Sequence, residues 1–192
     1  MNQTTGALSA IVGSPFSDGS VLRASIVAPS GKFFYASGNT TETTTSVFAI
    51  DSASGALMPI AGSPFLSPIS SDGSSIAVHP SGAFLYVDHP AVNDIAAWSI
   101  NSTTGMLTIV PGSPFPTGNG LPELLASPSG KFSYALNVND GTVSGFSIDA
   151  GSGTLTATNG SPFPVSAGTG YLALDPSGQF LYAGMDRSIT TP

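Results

Sequence analysis

Gly62-Ser63-Pro64-Phe65 is one of four copies of the same tetrapeptide, the others beginning at Gly13, Gly112 and Gly160. Successive copies start 49, 50 and 48 residues apart in a chain of 192 residues. A turn of the form small-Gly-x-Leu precedes each copy: Thr5-Gly6-Ala7-Leu8, Ser54-Gly55-Ala56-Leu57, Thr104-Gly105-Met106-Leu107 and Ser152-Gly153-Thr154-Leu155. A second signature alternates with the first, at Pro29-Ser30-Gly31, Pro80-Ser81-Gly82, Pro128-Ser129-Gly130 and Pro176-Ser177-Gly178. Self-similarity at such a period marks a solenoid, a propeller or an array.

Within one period the pattern is that of strands. Ser75-Ile76-Ala77-Val78 runs into His79-Pro80-Ser81-Gly82, where Pro followed by a left-handed Gly makes a tight hairpin. The chain returns as Phe84-Leu85-Tyr86-Val87, loops through Asp88 to Asp94, and continues as Ile95 to Ile100. After the Thr104-Gly105 turn, Met106 to Val110 leads to Gly112-Ser113-Pro114-Phe115. Phe48/Ile50, Trp98/Ile100 and Phe146/Ile148 are each two residues apart, so each pair lies on one face of its strand. No helical period is sustained, and Gly or Pro punctuates the chain every ten residues or so. The reading is an all-β fold, a β-propeller of four-stranded antiparallel blades. Blades are expected at 20–65, 71–115 and 121–163, with a lone outer strand within 6–16 and a partial blade at 170–192. Gly-Ser-Pro-Phe is expected to end each outermost strand, with Pro stopping the ladder and Phe packing between blades. The repeated Tyr35, Tyr86, Tyr134 and Tyr182 are expected to pack there too. Open blade edges at both ends invite self-association.

Composition narrows the function. Charged residues are only 8% of the chain while hydrophobic residues are 41%, too many for disorder. Such a Ser-, Thr- and Gly-rich surface suits an extracellular or periplasmic setting. The first residues have neither the basic nor the apolar region of a signal peptide. No apolar run approaches the ~20 residues of a membrane span. Nucleic acid is disfavoured by a net charge of −7 with four Lys and Arg in all. With no cysteine, thiol chemistry and zinc-thiolate sites are absent.

The repeated Pro-Ser-Gly-x-Phe-x-Tyr (Pro176 to Tyr182), the aromatic-Ser-Ile strand (Trp98 to Ile100, Phe146 to Ile148) and the Thr-Gly-x-Leu turns resemble the lactonase-type β-propellers. These include 6-phosphogluconolactonases and carboxymuconate-cyclising relatives. The resemblance implies a seven-bladed parent acting on a lactone or related cyclic ester, with His, Glu and Arg at one mouth of the channel. Where that pattern has His after Pro on an innermost strand, this chain has Leu121-Pro122-Glu123, and where it has Asn-Glu, this chain has Asn137-Val138.

Blade topology sorts the charges. The mouth at the start of the innermost strands, here the top, receives Asp18, Glu42, Asp72, Asp88, Asp94, Glu123, Asp140 and Asp186 against Arg23 and Arg187. The opposite face holds Asp51, Asp149 and Asp175 against Lys32 and Lys131. An acidic mouth repels anions such as phosphorylated sugars and attracts a cation, calcium for example, or a cationic partner. No other cofactor is implied. Glu123 is a candidate channel-facing acid or base, His89 a candidate acid or base in an exposed top loop, and Arg23 a candidate carboxylate holder. His79 reads as a turn residue of the lower face. Two functions compete: lactone hydrolysis, and a non-catalytic binding or protein-interaction module.

Overall fold

Short alternating runs, each closed by a Gly or Pro turn, leave no room for a helix, and the computed structural model of the protein is built from strands and turns. The structure describes residues 1–2, 4–16, 21–39, 44–69, 71, 73–120 and 123–185. Among these residues no helix is long and apolar enough to cross a membrane. The first blade comprises β1 (Val21–Val27), β2 (Phe33–Asn39), β3 (Thr44–Ile50), β4 (Leu57–Pro59) and β5 (Phe65–Leu66). The second comprises β6 (Ile76–Val78), β7 (Phe84–His89), β8 (Asp94–Ile100), β9 (Leu107–Ile109) and β10 (Phe115–Pro116). The third comprises β11 (Glu123–Ala126), β12 (Phe132–Asn137), β13 (Thr142–Ile148), β14 (Leu155–Ala157) and β15 (Phe163–Pro164). A two-stranded sheet of β16 (Thr169–Leu174) and β17 (Leu181–Met185) follows. The innermost strands β1, β6, β11 and β16 adjoin one another in turn. The four sheets fan out from that line as part of a propeller and do not close into a ring.

Gly-Ser-Pro-Phe interrupts the outer strand; it does not end it. In the first blade β4 pairs with the far half of β3, and after the motif β5 pairs with its near half, through Thr44↔Leu66 and Thr45↔Phe65. Between the two pairings the chain bulges. Gly62 takes φ 82°, the Ser63–Pro64 bond is cis, and the Ser63 N–H donates to the Ile60 carbonyl at 3.1 Å. The bulge would strip Val47, opposite it, of a ladder acceptor. The Ser63 hydroxyl supplies one, accepting from the Val47 N–H at 2.9 Å, while the Ile60 N–H donates to the Val47 carbonyl. Ser113 does the same for Ala97, and Ser161 for Gly145, each at 2.9 Å. Thus Gly turns the chain, Ser replaces the missing ladder bond, and Pro and Phe restart the strand. Ser113→Ala should lose about 1–3 kcal/mol, because it leaves the Ala97 N–H unpaired; urea unfolding measures this.

Leu8 to Val12, expected as a lone outer strand, lies in no ladder, since no third strand stands beside it among the described residues. Residues 9–16 instead lie beside Val27, Phe34, Ile50 and Leu57 of the first blade, leaving a cleft between them.

Alternation within each strand builds the core between blades. On β7, Phe84 and Tyr86 join a cluster with Leu124, Ala135 and Phe146 of the third blade. Leu85 and Val87 join Tyr35, Val47 and Phe33 of the first. Burial of each such side chain contributes about 1.5–3 kcal/mol. The two sequence signatures meet here. The Tyr86 hydroxyl donates to the Gly153 carbonyl of the third blade's Gly-x-Leu turn at 2.9 Å. The Phe84 ring fills the space where a Gly153 side chain would stand, as Phe33 does at Gly105. Phe180 and Tyr182, which have no further blade beside them among the described residues, are each 58% exposed.

Candidate functional site

The top of the fan is formed by the first residues of the innermost strands, the last residues of the second strands, and the connectors between blades. Glu123 is the first residue of β11 and half-buried. Its carboxylate accepts a hydrogen bond from the Leu172 N–H of β16, across the blade boundary. Ser75 occupies the same repeat position, five residues before its Pro-Ser-Gly, and its hydroxyl accepts from the Leu124 N–H of β11 at 3.0 Å. Position 75 and position 123 therefore latch each innermost strand to the next, and at 123 the latch is ionisable. Among the described residues no donor reaches the other carboxylate oxygen of Glu123.

His89 is not the exposed loop residue expected. It ends β7, paired with Asp94, and is 1% exposed. Its Nδ1 lies 2.6 Å from the Ser71 carbonyl, which can only accept, so Nδ1 carries the proton. In the neutral ring Nε2 then accepts from the Ser67 hydroxyl at 3.2 Å. Both partners belong to the connector between the first and second blades. Asn137, the counterpart of His89 on β12, does the same work one blade on. Its Oδ1 accepts from the Gly118 N–H at 3.1 Å, and its amide donates to Thr142 and Ser144 at 2.9 and 2.8 Å. The imidazole and the amide each pin a connector over the top of a blade.

Asp88, expected in the top loop, is 0% exposed on β7. Burial pushes its pKa up from 3.8 to about 6, against the pull of hydrogen bonds from the Ser75 N–H, the Ser74 N–H and the Ser74 hydroxyl. Sequence reasoning singled out its neighbour instead. The available signal was alternation: Asp88 stands two residues after Tyr86, in register with Ile95.

Arg23 sits at a β-bulge in β1, between Leu22 and Ala24, and is exposed. A bulge re-aims the side chain it carries. Glu123, His89 and Arg23 thus stand on three different blades. What the structure gathers is a group around the second blade: Asp88, His89, Ser67, Ser71 and Ser74. Among the described residues no cluster of three or more His, Asp or Glu side chains could hold a metal ion. On the lower face, Asp51, Asp149 and Asp175 build turns, and hydrogen bonds from Ser54, Ser152 and Ser177 respectively hold their carboxyls below the usual range. His79, also on this side, is buried at the junction of the second and third blades.

No protein of curated function matches the sequence. Several solved structures share the fold. A candidate 6-phosphogluconolactonase from Bacteroides fragilis is 24% identical, with a TM-score of 0.68 over 78% of this chain and 41% of its own. The periplasmic gluconolactonase PpgL of Pseudomonas aeruginosa is 19% identical, with a TM-score of 0.67 over 84% of this chain and 49% of its own. Sqt1 of Chaetomium thermophilum, solved bound to the N-terminus of ribosomal protein L10, is 15% identical, with a TM-score of 0.61 over 84% and 40%. The chain therefore spans less than half the length of each of these, and at such identities the likeness is one of fold. The sequence itself matches the family Lactonase, 7-bladed beta-propeller, over residues 1–169. With its blades and their two interlocking signatures in place, the chain belongs to the seven-bladed β-propeller lactonase family.

Proposed function

We propose that the propeller to which this chain contributes its blades hydrolyses a lactone or related cyclic ester, and prefers an uncharged ring to a phosphorylated one. The family match over residues 1–169 carries this reading. The preference rests on the net charge of −7, since a surface of one sign repels ligands of the same sign; of the charged residues expected at the top, Asp18, Glu42, Asp72, Asp186 and Arg187 lie outside the described residues. Glu123 is the acid–base group of this reading. Its carboxylate is oriented by the Leu172 N–H, and its other oxygen takes a proton from water as the water oxygen attacks the lactone carbonyl. The ring C–O bond then breaks, Glu123 passes that proton to the leaving alkoxide, and a hydroxy acid is released.

The test is to assay the complete propeller that carries these blades against glucono-δ-lactone and its 6-phosphate, with spontaneous opening subtracted. Hydrolysis is expected for the uncharged lactone, and Glu123→Gln should lower kcat about 10²- to 10⁴-fold. Gln still offers an oxygen to the Leu172 N–H, so a loss of rate with unchanged thermal unfolding separates chemistry from the latch. A full rate in Glu123→Gln would remove the assignment, and no rate above background would remove the reading.

A further inference from the structure

The residue just before each Pro-Ser-Gly offers an internal comparison between blade interfaces. In the second blade it is His79, 7% exposed. Its Nε2–H donates to the Gly130 carbonyl of the third blade at 2.8 Å, its Nδ1 accepts from the Ser81 hydroxyl at 2.7 Å, and its ring stands edge-on to Phe84. In the first blade the same position is Ala28. There a cavity of about 240 Å³ opens between the first and second blades, bordered by Ala28, Lys32, Tyr35, Ser81, Ser102 and Thr103.

Tyr35 shows that the difference is more than a missing ring. Its counterpart Tyr86 donates its hydroxyl to the Gly153 carbonyl. Tyr35 is equally buried, at 0% exposed, yet its hydroxyl has no hydrogen-bond partner among the described residues. An unpaired buried hydroxyl is costly, and the Tyr35 side chain backs a cavity rimmed by the hydroxyls of Ser81, Ser102 and Thr103. Burial pushes its pKa up to about 12, so it stays protonated and able to donate.

We propose that this cavity binds a small hydroxylated carboxylate. The Lys32 ammonium takes the carboxylate, and among the described residues no acidic side chain lines the cavity to oppose it. The hydroxyls of Ser81, Ser102 and Thr103 take the ligand's hydroxyl groups, with Phe33 and Ile100 against its carbon chain. The volume corresponds to roughly eight waters at about 30 Å³ each, which suits a short sugar acid and falls below the ~300 Å³ of a drug-sized site. Both walls belong to this chain, on the face opposite the top, so the site is independent of Glu123 and of any blade beyond these two.

Titration calorimetry with glycerate and gluconate, and with glycerol and glucose as uncharged counterparts, tests the proposal. Saturable binding of at least one acid is expected, weakened roughly tenfold or more in Lys32→Ala, as for loss of a charged hydrogen bond. Tyr35→Phe should leave binding unchanged and not lower Tm, because the hydroxyl it removes is buried and has no partner among the described residues. Ala28→His places an imidazole where His79 has one, and should abolish binding while Tm holds or rises. Failure of both acids to bind overturns the proposal. So does undiminished binding in Ala28→His, or equal binding of the uncharged counterparts.

Discussion

Gly153→Ala is expected to lose roughly 2–5 kcal/mol of stability, whereas Gly31→Ala, at a closely similar backbone angle, loses about 1–2 kcal/mol. The two glycines have φ of 77° and 69°, so a side chain at either carries the left-handed penalty. Their surroundings differ. A Cβ on Gly31 meets nothing within 4 Å, while one on Gly153 comes closer than 3.0 Å to three carbons of the Phe84 ring. Phe84 is 5% exposed and held in the cluster between the second and third blades, so it has no open space to enter. The same turn carries the carbonyl that accepts from Tyr86, so displacing the ring pulls on that hydrogen bond too. Urea unfolding of both variants gives the comparison. In a double-mutant cycle, Gly153→Ala with Phe84→Leu should lose less than the sum of the single changes, because the smaller side chain relieves the clash. Equal losses at Gly31 and Gly153 would show that the interlocking of the two signatures contributes nothing beyond backbone strain.

That joint was only half legible in the sequence. The recurrence of Pro-Ser-Gly-x-Phe-x-Tyr and of Gly-x-Leu marks strands and turns, because hydrophobic alternation and glycine are local signals. Their docking on one another is a contact across blades, and neither motif names its partner. The same limit explains β5, β10 and β15: two-residue strands have no period to read, and the Ser63 hydroxyl that stands in for a ladder acceptor looks like any other turn serine. At the top, Asp88 to Asp94 read as a loop, yet β7 keeps its register through Asp88↔Ile95 and His89↔Asp94. The position of Glu123 was readable from its offset to Pro128. Its bond was not, because the donor is a backbone N–H one period away at Leu172, and backbone groups carry no sequence signature. Buried polar groups at the top are defined by the connectors that fold over them, and Asp88, held by Ser74 and Ser75, shows the consequence most strongly.

Asp88→Asn should stabilise the chain at pH 8 by up to about 3 kcal/mol and change little near pH 4, where the native carboxyl is already protonated. The sign follows from the raised pKa. Between 3.8 and about 6 the folded protein holds a proton that the unfolded chain has released. The stability this group contributes is therefore fully present below pH 3.8 and is lost as pH rises through about 6. Above that window the buried carboxylate stays charged, and its cost is constant. Asp51, Asp149 and Asp175 act in the opposite direction, since hydrogen bonds lower their pKa values; their contribution is present above 3.8 and is lost as pH falls below it. The wild-type chain should thus lose stability as pH rises from 3.8 through about 6, and in Asp88→Asn that decline should flatten. The substitution suits the site. An amide oxygen can still accept from the Ser74 and Ser75 N–H groups, and the amide nitrogen can donate to the Ser74 hydroxyl that now donates to the carboxylate. Urea unfolding of both proteins from pH 4 to pH 8 measures the difference directly. A gap between them that stays constant across that range would mean that Asp88 does not titrate there. A destabilised Asn variant at pH 8 would mean instead that the negative charge itself grips the connector, and that its hydrogen bonds outweigh the cost of burying it.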